Sequence, residues 1–183
     1  MINKLLFTFV VLFATLNSQA QSEIPTFDQR HKNIYAEFMG SHLLAGVNFD
    51  MRLKKGVMDG IGFRVGVGGL TAKGQDANNV AELGLVTFPI ELNYVVGKKR
   101  SSMIAGVGVL PAYATIKGEG EITNYEYIEE EGFGVPAGFL TLGYRFQPLK
   151  TGVMFQVHWN PMIVRGSGFQ PGWFGAGIGI GFK

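Results

Sequence analysis

Apolar and polar residues alternate along most of the chain beyond residue 33. In residues 45–53, every second side chain is apolar and those between are small or polar. Successive side chains of a β-strand point to opposite faces, so this period predicts a strand with one apolar face. The pattern recurs in eight segments, of which the first is the weakest: residues 33–39, 45–53, 61–68, 87–96, 102–109, 140–147, 153–160 and 174–182.

Eight alternating strands separated by turns are typical of a transmembrane β-barrel. We therefore predict an all-β fold, an eight-stranded antiparallel up-and-down transmembrane β-barrel formed by residues 33–183. A bilayer accepts strands only when the sheet closes on itself, because an open edge leaves backbone groups without partners. Pro89 lies inside the fourth segment and removes one ladder hydrogen bond, so we expect a bulge there.

The composition of the two strand faces distinguishes a membrane barrel from a soluble one. A soluble barrel points its apolar face inward, whereas a membrane barrel points that face toward lipid. The small face carries many glycines, which would weaken strands in water but leave room for long side chains inside a narrow barrel. The apolar face carries aromatic residues suited to the membrane interfaces. We favour the membrane barrel and keep the soluble barrel as the alternative.

The lengths of the connections predict an orientation. With the N-terminus at the inner end, the inner turns are residues 54–60, 97–102 and 147–152, and all are short. The outer connections are residues 39–43, 69–86, 114–134 and 164–172, of which three are long. Short inner turns and long outer loops are typical of outer-membrane barrels.

The N-terminus predicts export. A positively charged start precedes an apolar run at residues 5–16, and Ser18-Gln19-Ala20 then places small residues at a cleavage site. This order is typical of a secretory signal peptide covering residues 1–20. The run is shorter than the ~20 residues that a membrane-spanning helix needs, although an uncleaved anchor remains the alternative. Residues 21–32 then form a short periplasmic segment before the barrel.

Composition excludes several other classes of protein. Hydrophobic residues make up 46% of the chain and charged residues 16%, below the roughly 25% charged of soluble domains. Sixteen basic and fourteen acidic residues nearly balance, which argues against a nucleic-acid partner. The absence of cysteine excludes a disulfide framework, a thiolate metal site and a lipoprotein anchor.

Four stretches of the chain have a familiar sequence: Leu-Gly-Tyr-Arg-Phe-Gln-Pro at residues 142–148, which is the most specific, and residues 33–38, 87–98 and 173–178. They resemble small outer-membrane β-barrel proteins common in Bacteroidetes, of the OmpA/OmpX-like type. The resemblance implies an eight-stranded barrel and a surface location. We expect a monomer whose partners are outer-membrane lipid and the assembly machinery. It implies no established activity. One departure is that Phe182 is followed by Lys183, whereas such barrels usually end on an aromatic residue.

Six charged residues fall on the small face of the predicted strands, which is the lumen face of a membrane barrel. Three acids and three arginines would balance there, and isolated buried charges are costly, so we interpret them as a structural network that seals the lumen. We expect Arg64 and Arg145 to pair with Glu37 or Glu91. The alternatives are a small gated pore or a bound anion. The six residues are Glu37, Asp50, Arg52, Arg64, Glu91 and Arg145.

No residue pattern predicts catalysis, a cofactor or a metal. Some small outer-membrane barrels are lipid A deacylases or acyltransferases that use a histidine with a serine. His158 is the candidate histidine, but a deacylase would need a serine where Asn160 stands. Nucleophilic catalysis requires a base beside its nucleophile, so we interpret His158 as a lumen side chain and keep the lipid-modifying enzyme as an alternative.

The long outer connection at residues 114–134 is the predicted site of any extracellular interaction. Loops carried by a rigid scaffold are where binding residues usually lie. This connection combines many glutamates with Tyr125, Tyr127 and Ile128, which offer apolar contact area. The alternative is that these side chains pack on the rim and only order the loop.

Overall fold

A computed structural model describes residues 28–76, 79–97, 99–120 and 128–183. Within them one short 3-10 helix, Gly40–His42, separates the first two strands. The strands are β1 (Lys32–Met39), β2 (Ala45–Arg52), β3 (Gly60–Asp76), β4 (Asn79–Thr87), β5 (Ile90–Val96), β6 (Ser101–Gly120), β7 (Ile128–Phe146), β8 (Gly152–Trp159), β9 (Met162–Val164), β10 (Gly168–Gln170) and β11 (Phe174–Phe182).

All eleven strands belong to one antiparallel sheet. β1 pairs with β2 on one side and with β11 on the other, so the first and last strands are neighbours. From β2 the pairing continues to β3, then to β4 and β5, and from both of these to β6. β6 pairs with β7, β7 with β8 and β9, and β8 with β11. The predicted all-β antiparallel fold is confirmed.

Pro89 interrupts its strand without changing the register, so the bulge predicted there is wrong. Thr87 in β4 lies opposite Gly68, and Ile90 in β5 lies opposite Val65, which leaves equal numbers of residues on both strands. The Gly66 N–H donates to the Pro89 carbonyl at 3.0 Å. Proline removes a donor but keeps its acceptor, so the ladder loses one bond and gains no extra residue.

A register shift does occur at a neighbouring proline. The pairing of β6 with β7 shifts by one residue between Leu110 and Ala112, on either side of Pro111. Pro161 lies between β8 and β9 and leaves the register with β7 unchanged, since the Leu140 N–H donates to the Pro161 carbonyl at 3.0 Å.

The two longest predicted outer loops consist mostly of β-strand, so the prediction of loops there is wrong. β3 continues to Asp76 and β4 begins at Asn79, and β6 continues to Gly120 before β7 begins at Ile128. β4 also pairs with β6 in this region, so the two hairpins form one four-stranded sheet. We call these extensions, residues 70–86 and 112–134, the projecting sheet. Sequence reasoning missed it because polar and apolar positions exchange faces there, which interrupts the pattern.

The sheet buries its polar face and exposes its apolar face. In β5, Glu91, Asn93 and Val95 are buried, while the residues between them are exposed. Among the described residues, nineteen polar or charged residues are buried and only eleven hydrophobic ones. Water-soluble domains show the reverse preference. The exposed side chains include large ones on nearly every strand, such as Leu92, Val107 and Ile178.

Apolar side chains fill the interior near both ends. Near the end that carries the projecting sheet, Leu43, Val164 and Trp173 pack against a buried cluster of Leu110, Ala137, Phe139 and Met162. The 3-10 helix Gly40–His42 is buried at this end, and the Trp173 indole N–H donates to the Gly40 carbonyl. At the opposite end, Met58 and Leu149 are buried in two of the short connections. No helix in the described part of the chain is long and apolar enough to cross a membrane.

Candidate functional site

The six charged residues predicted on one face come together in the interior. Each is 0 or 1% exposed, and they extend from β1, β2, β3, β5 and β7. Glycines in neighbouring strands provide the space. A Cβ atom at Gly62 would lie 2.3 Å from the Arg52 guanidinium carbon, and one at Gly106 would lie 2.7 Å from Glu91 Oε1. The glycines of this face therefore leave room for the long charged side chains, as the sequence analysis predicted.

Arg64 links two carboxylates in the first half of the cluster. Its Nη1 lies 2.9 Å from Glu37 Oε2 and its Nη2 lies 2.7 Å from Glu91 Oε2. The same Nη1 donates to the Tyr35 hydroxyl at 3.3 Å. The guanidinium carbon lies 5.6 Å from the centroid of the Phe139 ring. Arg64 thus pairs with both of the carboxylates that the sequence analysis expected.

Neutral groups add further hydrogen bonds to these two carboxylates. Glu37 Oε1 accepts from the backbone N–H and the hydroxyl of Ser41, at 2.9 and 3.0 Å, and Glu37 Oε2 accepts from the Asn48 amide at 3.0 Å. Glu91 Oε2 accepts from the Thr141 hydroxyl at 2.6 Å. Ser41 belongs to the buried 3-10 helix, so its bonds to Glu37 tie that helix to the charge cluster.

Asp50 holds two arginines in the second half of the cluster. Arg52 Nη2 lies 2.8 Å from both carboxylate oxygens, and Arg145 Nη1 lies 2.9 Å from Oδ1. The Asn93 amide donates to Asp50 Oδ2 at 2.8 Å. Arg145 Nε also donates to Gln156 at 3.0 Å. The expected pairing of Arg145 with Glu37 or Glu91 is therefore corrected: its partner is Asp50.

This correction has a simple geometric cause. Period-two alternation specifies which face a side chain occupies, but the height along the interior depends on strand register, which the sequence pattern does not give. Arg145 lies opposite Ser102 and Gln156, near the short connection between β7 and β8. Asp50 reaches that level, whereas Glu37 lies near the 3-10 helix at the other end.

Several members of the site were not singled out as functional residues in the sequence. Tyr35, Asn48 and Thr141 lie on the same strand faces as the six charges, so the alternation itself was the available signal. Ser41 carried no such signal, because it belongs to a connection whose inward fold depends on tertiary packing. The alternation therefore identifies which strand residues line the interior but not which turn residues enter it.

Two histidines near the strand ends are buried close to charged residues of the interior. His42 Nε2 lies 3.1 Å from Asn48 Oδ1, and burial lowers the pKa of His42 although the nearby Glu37 carboxylate opposes this. Burial also lowers the pKa of His31 to about 4, with the positive charge of Arg145 acting in the same direction. Both imidazoles are therefore neutral at pH 7.

The described residues do not place the candidate histidine beside a nucleophile at the surface. His158 Nε2 lies 3.6 Å from Glu37 Oε1, but the His158 side chain is fully buried. The Asn160 amide donates to the Leu140 carbonyl and the Thr141 hydroxyl, at 3.0 and 2.9 Å. Among the described residues, no group of three or more histidine or carboxylate side chains could hold a metal ion.

Three candidate interaction residues were predicted in the long connection at residues 114–134, and Ile128 is the one that lies within the described part of the chain. Tyr125 and Tyr127 lie outside the described residues. Ile128 is the first residue of β7 and lies opposite Gly118 in β6. The prediction that these residues bind a partner stays a prediction.

The whole sequence matches no protein-family model and no curated protein.

Proposed function

We propose that this protein is an eight-stranded transmembrane β-barrel of a bacterial outer membrane, with a sealed interior and a projecting sheet that serves surface interaction. The observation that carries the proposal is the reversed burial of the sheet, polar inside and apolar outside, in a chain whose first and last strands pair. A hydrocarbon environment favours such a surface, which supports the proposal.

The register supports eight strands around the barrel. β4 and β5 pair with β3 in one continuous register, and they also pair with β6 in one continuous register. In the same way, β8 and β9 pair with β7 in one continuous register. β9 pairs with β10 and β8 with β11, which makes β10 and β11 a single path beside β8 and β9. Each interrupted pair therefore counts as one strand, and the eleven segments reduce to eight. Closure through β1 and β11 leaves the membrane-spanning part without an edge, as a bilayer requires.

The exchange of faces along the long strands supports a membrane boundary. The outward positions of β3 are Ile61, Val65 and Val67 in its first half, and Thr71 and Lys73 in its second half. β6 changes in the same way, from Met103 and Val107 to Thr115 and Lys117. An outward surface that changes from apolar to polar matches a strand that leaves lipid and enters water. The projecting sheet then lies outside the membrane.

The packing of the interior supports a sealed lumen. Three arginines and three carboxylates are paired with one another and cross the interior, and apolar side chains are buried near both ends. An eight-stranded barrel has an interior just wide enough for side chains to fill. This favours a structural or interaction role over a pore. The buried position of His158 gives the alternative of a lipid-modifying enzyme no support.

The same proposal includes the signal peptide and the resemblance to barrels common in Bacteroidetes. They rest on residues 1–20 and on the resembling stretches, of which Leu-Gly-Tyr-Arg-Phe-Gln-Pro spans the end of β7. An exported chain that reaches the outer membrane needs the assembly machinery as its first partner. We propose that the mature protein is monomeric, since the barrel closes within one chain.

Gel mobility and cell fractionation test the proposal together. The full-length protein, expressed in a Gram-negative host, should appear in the outer-membrane fraction without residues 1–20. Unheated samples should migrate differently from boiled samples in dodecyl sulfate gels, because a closed barrel resists unfolding by detergent. A protein recovered from the soluble periplasm with identical mobility in both samples would contradict the proposal.

A further inference from the structure

Side chains of unequal size lie side by side on the outward face of β7, β8, β11 and β1. Register places Tyr144, Val157, Ala176 and Phe38 in one row across these four strands. The two middle residues, Val157 and Ala176, are much smaller than the aromatic residues at the two ends. Because cross-strand neighbours on one face lie about 5 Å apart, the row forms a depression between two aromatic side chains.

Two further aromatic side chains bound the depression on the side of the 3-10 helix. Trp159 and Phe174 lie opposite each other, two residues farther along their strands than Val157 and Ala176. The Trp159 indole N–H donates to the Pro171 carbonyl, so its one polar atom is satisfied and the ring is held in place. We call this depression the lateral hollow. Its floor is Val157 and Ala176, and its walls are Phe38, Tyr144, Trp159 and Phe174.

The lateral hollow has the volume of a ligand site and an uncharged lining. Its volume is about 670 Å³, and Met103 and Leu142 extend the lining beyond Tyr144. Ligand sites in proteins measure about 300–1,000 Å³. In the described part of the chain, no lysine, arginine or carboxylate lines the hollow, and the side chain of His158 beneath it is fully buried. The lining therefore suits a hydrocarbon group.

The size of the lateral hollow favours a slender occupant over a second protein. Neighbouring strands lie about 4.8 Å apart and every second residue about 7 Å apart, so the hollow is roughly 15 Å wide and 7 Å high. A stable dimer buries about 800 Å² on each partner, far more than a depression of this size offers. A single hydrocarbon chain fits these dimensions.

The surroundings of the lateral hollow supply such chains. Large exposed apolar side chains surround it on β8, β11 and β1, among them Val153, Ile178 and Ile34. The proposed function places this face in lipid. Trp159 ends β8 and Phe174 begins β11, and aromatic residues concentrate at membrane interfaces. The hollow therefore lies in the leaflet next to the projecting sheet and opens sideways toward acyl chains.

The uncharged lining also distinguishes two sources of an acyl chain. A free fatty acid would bring a carboxylate to a surface that offers it no cationic side chain among the described lining residues. An esterified chain keeps its polar headgroup at the interface and places only hydrocarbon in the hollow. The lining therefore favours a membrane lipid.

We propose that the lateral hollow binds one acyl chain of a membrane lipid in the leaflet next to the projecting sheet. Val157 and Ala176 contact the chain from beneath. Trp159 and Phe174 limit how far it extends toward water. Contact with the exposed floor supplies the affinity, and the preformed walls reduce the ordering cost. This inference rests on the proposed function, because only a membrane-embedded hollow opens onto lipid.

The fluorescence of Trp159 reports an acyl chain in the hollow. The chain has two tryptophans, and Trp173 packs against the buried apolar cluster instead. Trp173→Phe therefore leaves Trp159 as the reporter, and Trp159→Phe leaves Trp173 as its control. The probe is a phosphatidylcholine with brominated acyl chains, added to the full-length protein in dodecyl maltoside at a few lipids per protein, because bromine quenches an indole that it contacts.

We expect the quenching of Trp159 to saturate at a single lipid per protein and to be reversed by the same lipid without bromine. Trp173 should be quenched far less, since it lies away from the hollow. A brominated free fatty acid should quench Trp159 more weakly than the lipid does. Native mass spectrometry of the wild-type protein, which needs no tryptophan substitution, should show one retained lipid.

Two variants locate the lipid. Val157→Phe fills the floor of the hollow and should weaken lipid binding by about tenfold or more, because the new ring occupies the place of the acyl chain. Val65→Phe is the matched control, since Val65 is 39% exposed on the outward face of β3 and Val157 is 49% exposed. It should leave the affinity within about twofold. Both measurements apply to both variants.

Several outcomes would overturn the inference. Quenching that rises with added lipid without saturating would mean unselective contact, and equal lipid binding by Val157→Phe and Val65→Phe would place the lipid elsewhere. A fatty acid that binds as tightly as the lipid, or a dimer formed through the hollow, would make that species the occupant. Gel mobility separates the two proposals: heat-modifiable protein that retains no lipid rejects only this inference, whereas the absence of heat-modifiable protein rejects the barrel.

Discussion

At the residue scale, the interior depends on the pairing of buried charges. Among the described residues, Asp50 is the carboxylate that forms ion pairs with Arg52 and Arg145, and all three side chains are fully buried. Buried pairs add little relative to apolar packing, but the loss of one partner leaves an uncompensated charge. The cluster therefore specifies how strands align more than it adds stability.

Asp50→Asn tests this dependence. The amide keeps the shape of the side chain but leaves Arg52 and Arg145 without a counter-charge, so we expect the free energy of unfolding to fall by about 3–5 kcal/mol. Urea unfolding in detergent or lipid measures it. Glu82→Gln is the control, because its pair with Lys73 is exposed and should contribute less than about 1 kcal/mol. Equal effects of the two substitutions would show that burial does not govern the cluster.

His31 gives the fold a predicted dependence on acid. Burial lowers its pKa from 6.5 to about 4. Between those values the unfolded state binds a proton that the native state does not, so stability falls as pH falls. From pH 7.5 to pH 5 the loss from this group is roughly 2 kcal/mol. His31→Gln should reduce the pH dependence of urea unfolding, and an unchanged pH dependence would exclude His31 as its source.

At the element scale, the alternation predicted most of the strands, because one face of each strand is polar or small and the other is apolar. In β5 and β11, every inward residue is polar or small and every outward residue is apolar or aromatic, with Val95 as the inward exception. The extensions of β3 and β6 were predicted as loops because their faces exchange beyond Gly69 and Leu110. The pairing of Arg145 with Asp50 could not be predicted, since it depends on register across the interior.

The hairpin of β6 and β7 should be removable without loss of the barrel. Thr115 lies opposite Glu131, so an Asn-Gly turn that joins them replaces residues 116–130 and keeps the register. We expect this variant to assemble and to remain heat-modifiable, because the pairs between residues 101–114 and 132–146 are retained. A deletion that ends elsewhere, such as residues 119–131, would remove β7 residues without their β6 partners and is a less suitable test. Failure of the register-matched variant to assemble would assign the hairpin a structural role.

At the scale of the whole molecule, the paired charges and the apolar ends predict a barrel that does not conduct. The purified protein in planar bilayers should give no steady conductance at neutral pH, because no continuous water path crosses an interior filled by side chains. A large porin in the same bilayers is the positive control. Reproducible single-channel steps from the wild-type protein would contradict the sealed interior and support a gated pore.

The central claim is that the exposed apolar face contacts lipid, and the outward face of β3 tests it most directly. The chain has no cysteine, so single cysteines at Val65, Val67, Thr71 and Lys73 can each carry a nitroxide without background labelling. In lipid bilayers, spin labels at 65 and 67 should be relaxed mainly by oxygen, which concentrates in hydrocarbon. Labels at 71 and 73 should be relaxed mainly by a water-soluble nickel complex. Equal access of the nickel complex to all four positions would contradict the transmembrane barrel.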